Sequence, residues 1–146
     1  MVETSIRKLK FLCDTIPSLM MQIPEVEFSS KPIPAKWSKK EIVGHLIDSA
    51  TNNHQRFVRA QFEQKPTISY NQNEWNKFNF YNQIDSTQLI NFWTVYNKHL
   101  LTIIKLIPKE SMIKECNTGQ NNITLEFLFD DYVNHLEHHL NQIIKY

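Results

Sequence analysis

Residues 38–57, SKKEIVGHLIDSATNNHQRF, read as the start and body of one amphipathic helix. Ser38 and Glu41 stand three apart just before an apolar run, the pattern of a capping box in which each side chain satisfies a backbone amide of the first turn. Ile42, Leu46, Ala50 and Phe57 then recur at helical spacing as one stripe. The helix is expected to run to about residue 64 and to stop ahead of Pro66. In front of it, Pro24, Pro32 and Pro34 within IPEVEFSSKPIPAKW imply an extended loop.

Three further helices lie on either side. The first, roughly 4–21, carries Ile6, Leu9, Cys13, Ile16 and Met20 at three-and-four spacing. The third starts at Asp85 or Ser86 and shows the stripe Leu89, Phe92, Trp93, Tyr96, Leu100, Ile103 and Ile107 before Pro108. The fourth is capped by Asn122 or Thr124 and runs to the C-terminus. Between the second and third lies KPTISYNQNEWNKFNFYNQ, residues 65–83, a connection long enough to suggest function. Its aromatics Tyr70, Trp75, Phe78, Phe80 and Tyr81 would make a large apolar patch if all were exposed, so they should pack on the bundle or on a second subunit and shape a pocket. Four amphipathic helices with one long crossover indicate an all-α four-helix bundle. A short strand pair in the loops is compatible with it.

The 146 residues suit one domain, 1–146. Hydrophobic residues make up 41% and aromatics 12%, enough for a globular core. A formal net charge of +1 without a basic block argues against nucleic acid. Two cysteines, Cys13 and Cys116, make no disulfide framework, so a reduced, cytoplasmic protein is expected. No signal-peptide or membrane-length apolar run is seen. The partners expected are a small-molecule substrate and a second copy of the chain in a homodimer, with neither nucleic acid nor membrane.

Chemistry enters with NHLEHHLNQI, residues 134–143. His135 and His139 stand four apart, so they stack on one helix face about 6 Å apart, within reach of one ion. The stripe Leu125, Phe129, Tyr132, Leu136 and Ile143 fixes the phase. His139 lies roughly 40° from its centre, His135 roughly 80° and His138 roughly 140°. His135 and His139 therefore face the bundle and His138 faces solvent. Two buried imidazoles need compensation, and a metal requires at least one more ligand from a facing helix. Candidates are His45, His54, His99 or a carboxylate. His45 and His54 point to opposite sides of their helix, and phase alone slightly favours His54. Phase does not settle the choice.

Together, KWSKKEIVGHLIDSATNNHQRF, the YNQNEW of the long loop and the terminal NHLEHHLNQI resemble the DinB/YfiT-like superfamily of metal-dependent enzymes. The resemblance covers nearly the whole chain. It implies an up-down-down-up four-helix bundle holding a divalent ion, zinc or nickel, through three histidines. Carried over by position, these are His45 in the HL-x-D-S segment and His135 and His139 on the last helix. Relatives often carry further histidines where Asn141 and Gln142 stand here, a departure that bears on substrate identity.

Three neutral histidines with an open fourth position would acidify a bound water or thiol. Ser49, Asn52 and Arg56 follow His45 at four, seven and eleven, a polar strip that suits a polar or anionic substrate. Asp131, one turn before His135, is placed to orient an imidazole. HLEHH is not the H-E-x-x-H of zincins, and Glu137 projects roughly 120° from the stripe. With no obvious carboxylate base, metal activation of a small thiol is the expected chemistry. The resemblance also includes enzymes that use low-molecular-weight thiols, which makes a thiol-dependent S-transferase the first expectation and a metal-dependent hydrolase the alternative. In a non-catalytic bundle the metal would be structural, but such zinc sites are usually closed by four ligands, commonly with Cys. Cys13 and Cys116 bear no spacing relation to the histidines.

Overall fold

The computed structural model describes residues 2–146. Four long helices carry the structure: α1 (Val2–Met21), α3 (Lys39–Arg59), α5 (Ser86–Leu106) and α6 (Leu125–Ile143). Two short ones lie between them, α2 (Glu25–Ser29) and α4 (Gln72–Phe78). The strands β1 (Glu115–Asn117) and β2 (Asn122–Thr124) pair antiparallel ahead of α6, with Cys116 opposite Ile123.

The caps follow the sequence signals. Ser38 accepts from the Glu41 amide while the Glu41 carboxylate accepts from the Ser38 amide, a complete capping box. Asp85 caps α5 and Thr124 caps α6, each accepting a backbone N–H. Such caps contribute about 1 kcal/mol each. The expected extended loop after α1 instead contains α2, because Pro24 at its start has no N–H to lose and a pre-set φ. Helix α6 ends at Ile143 rather than at the last residue.

Chain directions can be read from contacts between side chains. Ser5 donates to Asp130 and Lys8 to Glu137, so α1 and α6 run parallel. His45 meets His135 while Phe57 meets Phe129, so α3 and α6 run antiparallel. Ser38 contacts Asn82 just before α5 and His54 contacts Tyr96 within it, so α3 and α5 run parallel. The order is up-down-down-up. Trp93, Phe57, Phe129, Leu9 and Leu46 fill the centre, each such burial contributing about 1.5–3 kcal/mol. No helix is long and apolar enough to cross a membrane.

The connection between α3 and α5 covers α3 on its outer side. Tyr81 is buried there, its ring so close to Gly44 that a Cβ would lie 2.1 Å from it. Asn76 donates to the carbonyl of Glu41. Tyr70 and Trp75 are half-buried and pack edge to face. Phe78 and Phe80 depart from the expectation of full packing, being 60% and 56% exposed. Phe80 also adopts a left-handed backbone, φ 54°, where the chain turns out of α4.

Candidate metal centre

His45 on α3 and His135 and His139 on α6 converge near one end of the bundle. Nε2 of His135 lies 3.2 Å from Nε2 of His45 and 3.1 Å from Nε2 of His139. The ligating atoms of the three all fall within 4.8 Å of one another. His45 is buried beneath the Trp37 ring, centroids 4.8 Å apart, whereas His135 and His139 are half-buried. His138 is exposed, and His54 lies elsewhere on α3, bonded to Tyr96.

Burial first, then the neighbouring imidazoles, lowers the pKa of His45 to about 3 and of His135 to about 4. His139 is lowered for the same first reason, partly offset by its hydrogen bond to Gln142. All three rings are therefore neutral near pH 7. A neutral ring nitrogen carries one proton or one lone pair, so Nε2 of His135 cannot satisfy both neighbours by hydrogen bonding. A shared cation can. Nitrogen ligands bound at 2.0–2.1 Å in a tetrahedron lie about 3.3 Å apart, close to the spacing here. Imidazole donors suit zinc or nickel. The residues fit a divalent ion. Among the described residues the cluster includes no fourth Cys or carboxylate, and Cys13 and Cys116 are buried, free thiols outside it.

Gln142, on the turn after His139, orients that histidine. Its Oε1 lies 2.9 Å from Nδ1 of His139, so Nδ1 donates and the Nε2 lone pair faces the cluster. Asp131 makes no hydrogen bond to an imidazole among the described residues, contrary to the orienting role expected for it. Instead it lines a cavity of about 130 Å³ with Ser49, Asn53, Arg56, Tyr70 and His135. Asn52 is turned away from that cavity, its amide donating to the Asp48 carbonyl at 2.9 Å. A second, larger cleft of about 570 Å³ reaches His139 and Gln142 and is walled by Trp37, Ile42, Lys36 and Asn73.

Sequence reasoning passed over Asp48. It is buried, accepts from the Tyr81 hydroxyl and from Asn79 at 3.1 Å, and leaves Oδ2 without a partner. Burial raises its pKa to about 6, a shift the Tyr81 hydrogen bond partly opposes. Asp48 entered only as part of the HL-x-D-S segment, and although the long connection was expected to pack on the bundle or on a second subunit, nothing local marked which face of α3 it would cover.

A four-helix bundle with three convergent neutral histidines at one end is the class that fold and site define. No family model matches the chain. It is 21% identical, over 98% of its length and 83% of theirs, to proteins of Bacillus cereus and Bacillus anthracis that carry the name "Putative metal-dependent hydrolase". Among solved structures it is similar to YfiT from Bacillus subtilis, described as "a probable metal-dependent hydrolase with an unusual four-helix bundle topology". That likeness has a TM-score of 0.88 at 19% identity, over 97% of this chain and 83% of the other. The mycothiol-dependent maleylpyruvate isomerase is also similar, with a TM-score of 0.77 at 10% identity, over 98% of this chain and 60% of the other. The fold is the YfiT-like bundle, and the likeness to DinB/YfiT-like proteins runs along nearly the whole chain.

Proposed function

We propose that this chain is a metal-dependent hydrolase of a small molecule, with His45, His135 and His139 as ligands of one divalent ion. The observation that carries the reading is the convergence of three neutral imidazoles beside a cavity that also holds the Asp131 carboxylate. The expectation of thiol chemistry rested on the lack of an obvious carboxylate base and on the resemblance to thiol-using enzymes; Asp131, lining the cavity beside His135, weakens the first ground and leaves the second. The names of the similar Bacillus proteins support hydrolysis as well.

A zinc or nickel ion bound there would supply a Lewis acid that acidifies a water or thiol. The residues of the chain do the rest. Burial holds the rings of His45 and His135 unprotonated, and Gln142 fixes the tautomer of His139. Asp131, at the exposed rim of the cavity, takes the proton that an attacking water gives up. Trp37 and the larger cleft hold the bulk of the substrate and keep water from one side of His45.

The second reading, thiol-dependent transfer with a low-molecular-weight thiol as co-substrate, draws on the fold shared with a mycothiol-dependent isomerase. One experiment separates the two. Untagged protein is assayed for metal content, then for cleavage of esters and amides and for thiol addition to electrophiles. Hydrolysis that disappears with chelation and falls in Asp131→Asn establishes the first reading. Metal-dependent thiol transfer without hydrolysis replaces it with the second.

A further inference from the structure

Arg56 is a buried cation with no carboxylate in contact, and the charge of Asp131 acts on it only across the cavity. The residue is 8% exposed, and no carboxylate of the described residues lies within ion-pairing distance of it. Nε and one terminal nitrogen donate to the Ile68 carbonyl at 3.1 and 2.8 Å, and the other terminal nitrogen donates to Asn53 Oδ1 at 3.3 Å. A guanidinium has five N–H donors in a fixed fork, so two remain after these three contacts. All the acceptors are neutral. A charge taken out of water in this way is costly unless something balances it.

Arg56 lines the same 130 Å³ cavity as His135. The other groups there are mostly donors. Ser49 Oγ accepts from Asn53 at 3.3 Å and its hydroxyl interacts with that of Tyr70, so the pair offers the cavity one proton between them. Burial pushes the Tyr70 phenol up, so it keeps its proton. Asp131 is exposed and sits at the rim. Donors inside and one carboxylate outside favour a single negative charge lodged at Arg56, and disfavour a second one further out. The volume limits what accompanies that charge: a cavity of about 150 Å³ holds the six heavy atoms of benzene, so this one accepts roughly five.

We infer that this cavity is a subsite for the carboxylate of a short acid-bearing substrate, with Arg56 as counter-ion and the group to be attacked extending past His135 to the histidine cluster. The substrate class is a monocarboxylate whose ester or amide group begins one or two carbons from the acid. The remainder of the molecule extends into the larger cleft beyond His139. The reaction part of this inference rests on the hydrolase reading; the anion site does not.

The test uses the zinc-loaded full chain, labelled with ¹⁵N, and follows the Arg56 Nε–H signal during titration with sodium acetate, acetamide or sodium pivalate. Acetate should shift the signal saturably, acetamide should not, and pivalate, whose bulk sits next to the carboxylate where the cavity is narrow, should bind at least tenfold more weakly. Arg56→Lys keeps the charge but loses the fork, and should weaken acetate binding about 10- to 100-fold, the value of one or two hydrogen bonds to a charged group. Asp131→Asn should tighten it. Ser49→Ala leaves the Ile68 strap intact and should also weaken acetate binding, which keeps the test decisive where Arg56→Lys fails to fold. Equal shifts with acetate and acetamide, or pivalate binding as tightly as acetate, overturn the inference. If neutral esters are hydrolysed as fast as acid-bearing ones, the subsite is wrong and the hydrolase reading survives. If acetate binds as described and no ester or amide is cleaved, the subsite stands and the hydrolase reading is lost.

Discussion

Helix α3 carries two histidines, His45 and His54, and each meets other histidine rings edge to face. At His45 the ring centroids of His135 and His139 lie 5.0 and 4.7 Å away; at His54 that of His99 lies 5.5 Å away. Ring packing is therefore alike at the two places, and the nitrogens are not. Around His45 the Nε2 atoms face one another with no acceptor or donor between them. At His54, Nδ1 and the Tyr96 hydroxyl share a 2.8 Å hydrogen bond, and His99 is exposed. Cover differs as well. Trp37 and the connection carrying Tyr81 close over the region of His45, while exposed Phe92 and Val95 flank the turn of Tyr96. What sets the first cluster apart as a candidate metal centre is the convergence of its nitrogens, and the number of rings decides little.

The sharpest way to break this contrast is to remove rings from each cluster. His45→Ala, His135→Ala or His139→Ala should each abolish stoichiometric binding of zinc, read as metal content after equilibrium dialysis. His54→Ala, His99→Ala and His138→Ala should retain it. Loss in the second set as large as in the first would mean that convergence is not what selects the site.

Cover can be tested at Gly44. An added Cβ would lie 2.1 to 2.5 Å from three ring atoms of Tyr81, so the ring must leave and the Asp48 carboxylate loses a donor. Gly44→Ala is expected to cost about 3 kcal/mol in urea unfolding, from overpacking and a lost buried hydrogen bond. Limited proteolysis should then cut within residues 65–83. Unchanged stability together with an intact segment would show that the connection does not hold the α3 face closed.

Asp48 gives that cover a pH signature. Its pKa is about 6 in the folded protein against an ordinary 3.8, so between those values the folded state binds the extra proton. This contribution is fully present below about pH 3.8 and is lost as pH rises through 6. Asp48→Asn keeps an oxygen to accept from Tyr81 and Asn79 and never ionises. It should stabilise the protein above pH 6 by at most about 3 kcal/mol, with little effect near pH 4. A stability difference that does not change with pH would place the burial cost somewhere other than the carboxylate.

The same cover explains what could be read in the sequence. The caps Ser38, Asp85 and Thr124 were legible because capping depends on a few adjacent residues. The inward phase of His135 and His139 was legible because α6 has one apolar face. Helix α3 misled the phase argument, which leaned towards His54, because α3 is buried on more than one side: Leu46 and Phe57 belong to the core stripe, while Asp48 lies under the connection. A helical wheel assumes a single buried stripe. Nothing local to residues 38–59 announces that residues 70–83 will fold back over them, so Asp48 and the site of His45 depended on tertiary packing. Asn52 and Asn53 show a finer limit. Adjacent asparagines differ by about 100° in direction, and Asn53 lines the cavity while Asn52 bonds to its own helix.

The smallest effect expected lies in the second cluster and bears on whether it is only packing. The pKa of His54 is lowered first by burial and then by the nearby His99. His99→Ala removes the neighbouring ring and opens the groove to water, and both changes favour the charged form of His54. Its pKa, followed by NMR titration of the ring protons, should therefore rise towards the ordinary histidine value. Zinc content should stay unchanged, because neither residue belongs to the convergent set. The sign is the informative part. A fall would mean that His99 had been helping His54 to hold a proton, as a hydrogen-bond acceptor rather than a repelling neighbour. Zinc loss in the same variant would join the two clusters electrostatically along α3, and the contrast between them would then be one of degree.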